Sequence, residues 1–147
     1  MKKLSLFILT CLLFISISCS ESNQTISLIT YNIRLDIESD GINKWDNRKE
    51  GLISLIKEEN PDVLGIQEAL PNQIKYISNQ LEDYNMIGEG RDGGDNGEYS
   101  AIYYKSGKIR LEKTETFWLS ESPEIPSIGW DAALNRITTV GVFSEVS

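Results

Sequence analysis

The 147-residue sequence contains no histidine at all, so this chain brings no imidazole to proton transfer or to a metal. It has two cysteines, Cys11 and Cys19, both in the opening segment. The remainder therefore has neither a disulfide nor a thiolate metal site. Nor is there an excess of positive charge. Fourteen Lys and Arg stand against 22 Asp and Glu, a formal net charge of −8. A protein that grips long nucleic acid through its phosphates usually shows a basic face. There is no internal repeat and no low-complexity tract.

What is present begins with Lys2 and Lys3, a mostly apolar stretch over residues 4–17, and small residues at Ser16, Ser18 and Cys19. The pattern predicts a secretory signal over residues 1–18, too short and interrupted for a comfortable transmembrane span. Cys19, followed by Ser20, Glu21, Ser22 and Asn23, resembles a bacterial lipobox, although Ser16 stands where an aliphatic residue is preferred. The expectation is lipidation of Cys19, a tether over 19–25 and a cell-envelope location. Ordinary cleavage into the periplasm or medium is the alternative. Cleavage before Cys19 removes two lysines and no acid, so 12 basic and 22 acidic residues remain, a net charge of −10. That balance suits a small, lipid or sugar phosphate ester better than a long nucleic acid.

The remaining sequence, with 40% hydrophobic and 24% charged residues overall, reads as one folded unit. Residues 24–32 are rich in β-branched side chains and read as a strand, and residues 35–44 as a loop. Asn47 and Glu50 have the spacing of a capping box, with Leu52, Ile53 and Ile56 on the helix that follows, up to Asn60-Pro61. Residues 62–67 read as a buried strand. Pro71 opens a second helix running to about Asp83, with Ile74, Ile77 and Leu81 on one face. Residues 84–87 read as a short strand and 89–97 as a Gly/Asp/Asn loop. Residues 99–105 and 109–119 read as the two arms of a hairpin around Ser106-Gly107. A Pro-punctuated loop over 120–131 carries Trp130, and 136–143 reads as a last strand. The order implies mixed α/β rather than a doubly wound parallel sheet.

Asn32 and Glu68 each close an apolar strand. Two strands joined by one crossover helix are expected to be parallel, which brings both residues to the edge where α/β sheets bind ligands. Glu68 could supply a carboxylate to Mg²⁺, and Asn32 could position a phosphoryl oxygen. On placement alone, both are more often solvated turn residues.

TYNIR (30–34) and PDVLGIQE (61–68) resemble the opening motifs of the endonuclease/exonuclease/phosphatase superfamily. WDNRKE (45–50), GRDGG (90–94), GEYSAIYY (97–104), TFWLSE (116–121) and GWDAALNR (129–136) resemble a bacterial branch of metal-dependent hydrolases within it. The ordered set covers residues 26–143.

The resemblance implies a Mg²⁺-dependent (or Mn²⁺-dependent) hydrolase of phosphoric mono- or diesters. The implied fold is α/β: an incomplete half of a four-layer, deoxyribonuclease I-like β-sandwich flanked by helices. Glu68 resembles the family's metal-binding glutamate, with Asn32 beside the metal and the phosphate. Arg34 and Arg136 resemble arginines near the phosphate, and Glu98 the glutamate that orients a catalytic histidine. Arg91 and Trp130 are candidate substrate contacts, and Trp118 a candidate pocket wall. Each has an ordinary structural alternative: surface arginines, a solvated hairpin charge, a turn, or core packing for the tryptophans.

The family's later motifs carry a histidine, a GD-x-N run and a closing Asp-His pair, none of which occurs here. The expectation is that residues 26–147 are an amino-terminal half, catalytically incomplete, and that residues 19–147 alone are poorly soluble or partly unfolded. It would be completed by further sequence or by a separately encoded carboxy-terminal half. A non-catalytic envelope lipoprotein using the half-fold as a binding module is the competing expectation.

Overall fold

The computed structural model describes residues 25–146. The signal segment, Cys19 and nearly all of the expected tether lie outside the described residues. Among the described residues no helix is long and apolar enough to cross a membrane.

Strand β1 (Leu28–Asn32) is followed by α1 (Trp45–Glu59) and β2 (Val63–Ala69), then by α2 (Pro71–Gln80) and β3 (Tyr84–Ile87). Three further strands complete the described chain: β4 (Tyr99–Lys105), β5 (Ile109–Trp118) and β6 (Ile137–Glu145). A four-stranded sheet has the order β1-β2-β4-β3, and β5 and β6 form a second, two-stranded sheet. The β1–β2 pair is parallel, from Leu28 opposite Val63 to Asn32 opposite Gln67. All other pairs are antiparallel.

The period-two alternation of the strands sorts their side chains into two layers. Leu64, Ile66 and Ala69 of β2 and Tyr99, Ala101 and Tyr103 of β4 face the helices, where they meet Leu52, Ile53, Ile56, Ile74 and Ile77. On the opposite face Val63, Ile102 and Tyr104 pack with Ile87, Ile109, Leu111 and Phe143, joining the two sheets. The molecule is therefore mixed α/β, layered as helices, sheet, sheet.

Several expectations are corrected. The stretches 99–105 and 109–119 are strands, but they do not pair with each other. Strand β4 sits between β2 and β3, while β5 pairs with β6. Both faces of β4 are apolar, so burial places it centrally, and the Ser106-Gly107 turn passes the chain between sheets. The loop over 35–44 contains a short 3₁₀ segment, Glu38–Asn43, kinked at Gly41.

Helix α1 starts earlier than the capping box implies. Its N-cap is Lys44, and Asn47 instead donates its side-chain amide to the Ile42 carbonyl at 2.9 Å. Tertiary packing decides this start. Trp45 is buried edge-on against Tyr76, with ring centroids 5.7 Å apart, and winds the first turn with it. At the other end Asn60 takes a left-handed φ of 47° and caps α1 with an N–H bond to the Ile56 carbonyl.

Candidate functional site

The parallel pair brings the carboxyl ends of β1 and β2 to one edge. Register places Asn32 beside Gln67, not beside Glu68. Glu68 is an extra residue: Gln67 pairs with Ser100 and Ala69 with Tyr99, so Glu68 forms a bulge in β2. In an unbroken strand, position 68 would follow Leu64 and Ile66 into the helix-facing core. The bulge, with Glu68 at φ 64°, turns the carboxylate out instead. There the Asn32 side-chain N–H₂ donates to Glu68 Oε1 at 2.8 Å. Bulges of this kind gather beside active sites, where they re-aim a side chain.

A second left-handed residue locks Asn32. Arg34, at φ 61°, donates its backbone N–H to Asn32 Oδ1 at 3.0 Å. With its oxygen occupied, the Asn32 amide presents its nitrogen to Glu68. Two residues that the sequence reading did not single out hold this turn. Gln73, fully buried, donates to the Arg34 carbonyl at 3.0 Å and accepts the N–H groups of Asp36 (3.1 Å) and Leu70 (3.0 Å). Arg48 donates to the carbonyls of Ile33 and Arg34, and its guanidinium carbon lies 5.2 Å from the centre of the Trp45 ring. A signal for Gln73 was available, since a Gln two residues after an N1 proline sits where it can reach back to the N-cap N–H.

Glu68 opens onto a cleft of about 250 Å³ lined by Arg91, Glu98, Ser100, Leu119 and Arg136, among others. Arg91 and Glu98 are ion-paired at 2.9 Å with their side chains only 15% and 19% exposed. Arg91 Nε is buried and has no hydrogen-bond partner among the described residues. The backbone of the Arg91 loop is pinned from across the cleft. Trp118 Nε1 donates to the Arg91 carbonyl at 2.7 Å, and Asn135 donates to the same carbonyl and to Asp92. The loop is tight enough that a Cβ on Gly90 would sit 1.9 Å from the Asn96 carbonyl oxygen.

The structure thus gathers Glu68, Arg91, Glu98 and Arg136 around one cleft, with Asn32 bonded to Glu68. Arg34 contributes its backbone, while its guanidinium is turned to Asp40, with Nε and Nη2 at 2.9 and 2.7 Å from the carboxylate. That hydrogen-bonded pair raises the pKa of Arg34 and lowers that of Asp40. Trp118 is buried packing and not a pocket wall. Trp130, 76% exposed, lines a separate cleft. A larger cleft of about 490 Å³ lies at the carboxyl ends of α1 and α2 and contains none of the candidate residues.

Mg²⁺ usually takes one or two protein carboxylates, with waters and substrate completing the shell. Glu68 fits as one such ligand. Among the described residues there is no cluster of three or more His, Cys, Asp or Glu able to hold an ion. The Asn32 oxygen is engaged by the Arg34 N–H, so Asn32 steadies the carboxylate in this arrangement.

The fold and motifs have clear relatives. A solved endonuclease/exonuclease/phosphatase from Bacteroides vulgatus is 38% identical with a TM-score of 0.79, the match covering 82% of this chain and 47% of that one. A mannosyl-6-phosphatase from Bacteroides thetaiotaomicron is 36% identical with a TM-score of 0.79, covering 82% of this chain and 46% of that one. Rat tyrosyl-DNA phosphodiesterase 2 is 31% identical over 97 residues, 65% of this chain and 24% of that protein. The chain thus spans about half the length of these solved relatives and less of the curated ones. The Endonuclease/Exonuclease/phosphatase family model matches residues 29–140, from inside β1 to inside β6, and the chain belongs to that family.

Proposed function

We propose that this chain forms the metal-carboxylate and phosphate-binding edge of a Mg²⁺-dependent phosphoric ester hydrolase acting on small, sugar or lipid phosphates. The observation that carries the reading is the bulge that turns Glu68 out of the core onto Asn32, at the mouth of a cleft shared with two arginines. The relatives include a sugar-phosphate monoesterase and a phosphodiesterase, which supports ester hydrolysis and leaves the class of ester to this chain's own surface.

Mg²⁺, when bound, offsets charge on the phosphoryl and leaving oxygens. Glu68 would hold it, and Asn32 keeps the carboxylate aimed. Arg136 and Arg91 offer planar guanidinium donors to phosphoryl oxygens, a match of geometry as well as charge. Glu98 fixes the Arg91 guanidinium beside the cleft. The chain has no histidine, so the proton-transfer partner and further metal ligands would come from a carboxy-terminal half. A net charge of −10 without residues 1–18 favours a small ester over a long nucleic acid.

The test is Mn²⁺ binding followed by water-proton relaxation. Glu68→Gln is expected to weaken binding at least tenfold and Asn32→Ala severalfold; unchanged affinity in Glu68→Gln would sink the reading. We also propose export and anchoring through a lipid on Cys19. Its support is the basic, apolar and small-residue pattern of residues 1–19. Radiolabelled palmitate should enter the wild-type chain but not Cys19→Ala.

The non-catalytic binding-module reading rests on the absence of histidine. Hydrolysis by the Glu68-dependent protein, joined to a carboxy-terminal half, would remove it.

A further inference from the structure

The connection between β5 and β6 holds a feature that ester chemistry leaves unused. Of the three tryptophans, Trp45 and Trp118 are 3% and 4% exposed, while Trp130 is 76% exposed. Trp130 also has a left-handed backbone, φ 49°, which bulky side chains rarely adopt. Such a conformation persists only where the surroundings hold it.

They do so here. Gly129 packs so closely on the chain at Leu119 that a Cβ would lie 2.1 Å from the Leu119 carbonyl oxygen. Ala132 N–H closes a turn onto the Gly129 carbonyl at 3.0 Å. In the same cleft Ser120 and Ser127 are hydrogen-bonded to each other, and Ser127 Oγ also lies 2.9 Å from the Ser122 and Ile125 carbonyl oxygens. Ser120 Oγ also accepts the Ser122 N–H at 3.0 Å.

The ring borders a cleft of about 390 Å³ lined by Ser120, Glu121, Ser122, Ser127 and Ile128. That size suits a small molecule. Its chemistry is one exposed aromatic ring, serine hydroxyls and one carboxylate, with no lysine or arginine among the described residues that line it. An alkyl chain would find few apolar walls. A nucleotide strand could stack on the ring but would bring phosphates to a wall without a cation. A neutral pyranose fits both halves of the lining. Its weakly positive C–H face packs on the negative face of the indole, and its hydroxyls donate to carboxylate and serine oxygens.

The cleft also adjoins the one at Glu68. Leu119, next to Ser120, lines the Glu68 cleft and donates its N–H to the Arg136 carbonyl at 2.7 Å. We infer that Trp130, Glu121 and the Ser120–Ser127 pair form a hexopyranose subsite beside the phosphate-ester cleft. It rests on the hydrolase reading only for what the sugar carries.

The test needs no turnover. Because Trp45 and Trp118 are buried, acrylamide quenching of the full chain reads Trp130, and Trp130→Phe should abolish it. Methyl α-mannopyranoside and methyl α-glucopyranoside, which carry no phosphate, are the probes. At least one should lower the quenching constant saturably, about twofold or more. Glu121→Ala should weaken this protection at least fivefold, and Glu68→Gln should leave it intact. No saturable protection by either glycoside would overturn the inference. So would protection by a nucleoside monophosphate or a short-chain alkyl phosphate with none by the glycosides. Failure of the hydrolase reading is separately visible as Mn²⁺ binding indifferent to Glu68→Gln.

Discussion

The Asn32 side-chain amide donates to Glu68 Oε1 at 2.8 Å, although the strand register places Asn32 opposite Gln67. One residue of slippage in β2 makes that contact. The extra residue in β2 sends a position that alternation assigns to the core out to the strand-end edge, and its backbone cost is a left-handed glutamate.

Because that conformation is strained for glutamate, Glu68→Gly should stabilise the protein. Left-handed non-glycine residues cost about 1–3 kcal/mol, of which glycine's larger unfolded-state freedom returns about 0.5–1 kcal/mol. We expect a net gain of about 1 kcal/mol in urea unfolding, together with loss of the Glu68-dependent Mn²⁺ site. Glu68→Val should be destabilising. A lower midpoint for Glu68→Gly than for wild type would show that the bulge is not strained.

Gln73 satisfies three backbone groups at once, on Arg34, Asp36 and Leu70. Gln73→Leu fills the space but strands the Asp36 and Leu70 N–H groups, while Arg48 still holds the Arg34 carbonyl, at about 1–3 kcal/mol for each buried unsatisfied group. We expect a loss of about 3 kcal/mol. Arg48 and Gln73 both donate to the Arg34 carbonyl, so only the double variant Gln73→Leu/Arg48→Ala strands it, and that variant should be more destabilised than the sum of the singles. Strict additivity in denaturant titrations would separate the two residues.

Asp62 predicts an acid limit. Its carboxylate receives Lys108 at 2.7 Å, the Ser27 N–H at 2.8 Å and Lys105 at 3.5 Å, and its side chain is 7% exposed. These partners, Lys108 foremost, hold its pKa well below the usual carboxylate range. A depressed folded-state pKa contributes stability above the unfolded pKa of about 4, and that stability is lost as pH falls below it. Unfolding free energy should therefore decline below about pH 4 in wild type. In Asp62→Asn the neutral-pH value should drop by about 1–3 kcal/mol, with a flatter acid slope. Parallel acid slopes in the two proteins would rule out Asp62 as the source.

Two glycines in turns should respond in opposite ways. A Cβ on Gly129 meets the Leu119 carbonyl oxygen at 2.1 Å, whereas one on Gly107 meets nothing within 4 Å. Gly129→Ala should cost about 1–3 kcal/mol, as overpacking does. Gly107→Ala should be neutral or stabilising by about 0.5 kcal/mol. Thermal melts of the pair decide it, and equal effects would mean that the Trp130 turn is not close-packed.

Much of the architecture was legible in residue order because it is set by local chemistry. Pro71 can only begin a helix, Asn60-Pro61 ends one, and the apolar spacing of Ile74 and Ile77 names the buried face. The stretches around Asn32 and Glu68 read as parallel strands because one helix joins them, and they are parallel. The family was legible too, since its motifs are contiguous runs of residues.

Pairing and local strain were decided elsewhere. Strand β4 left its sequence neighbour β5 for β2 and β3 because both of its faces needed cover, and hydrophobic burial outweighs the short turn that favoured a hairpin. Helix α1 began at Trp45 because that ring had a partner in Tyr76. The outward turn of Glu68, the three bonds of Gln73 and the diversion of Arg34 to Asp40 join residues that are distant in the chain or depend on backbone angles. Residue order alone determined which groups this protein possesses and which strands and helices carry them. Only the tertiary structure decided which of those groups meet, because contact depends on register and burial, which are properties of the whole packed chain.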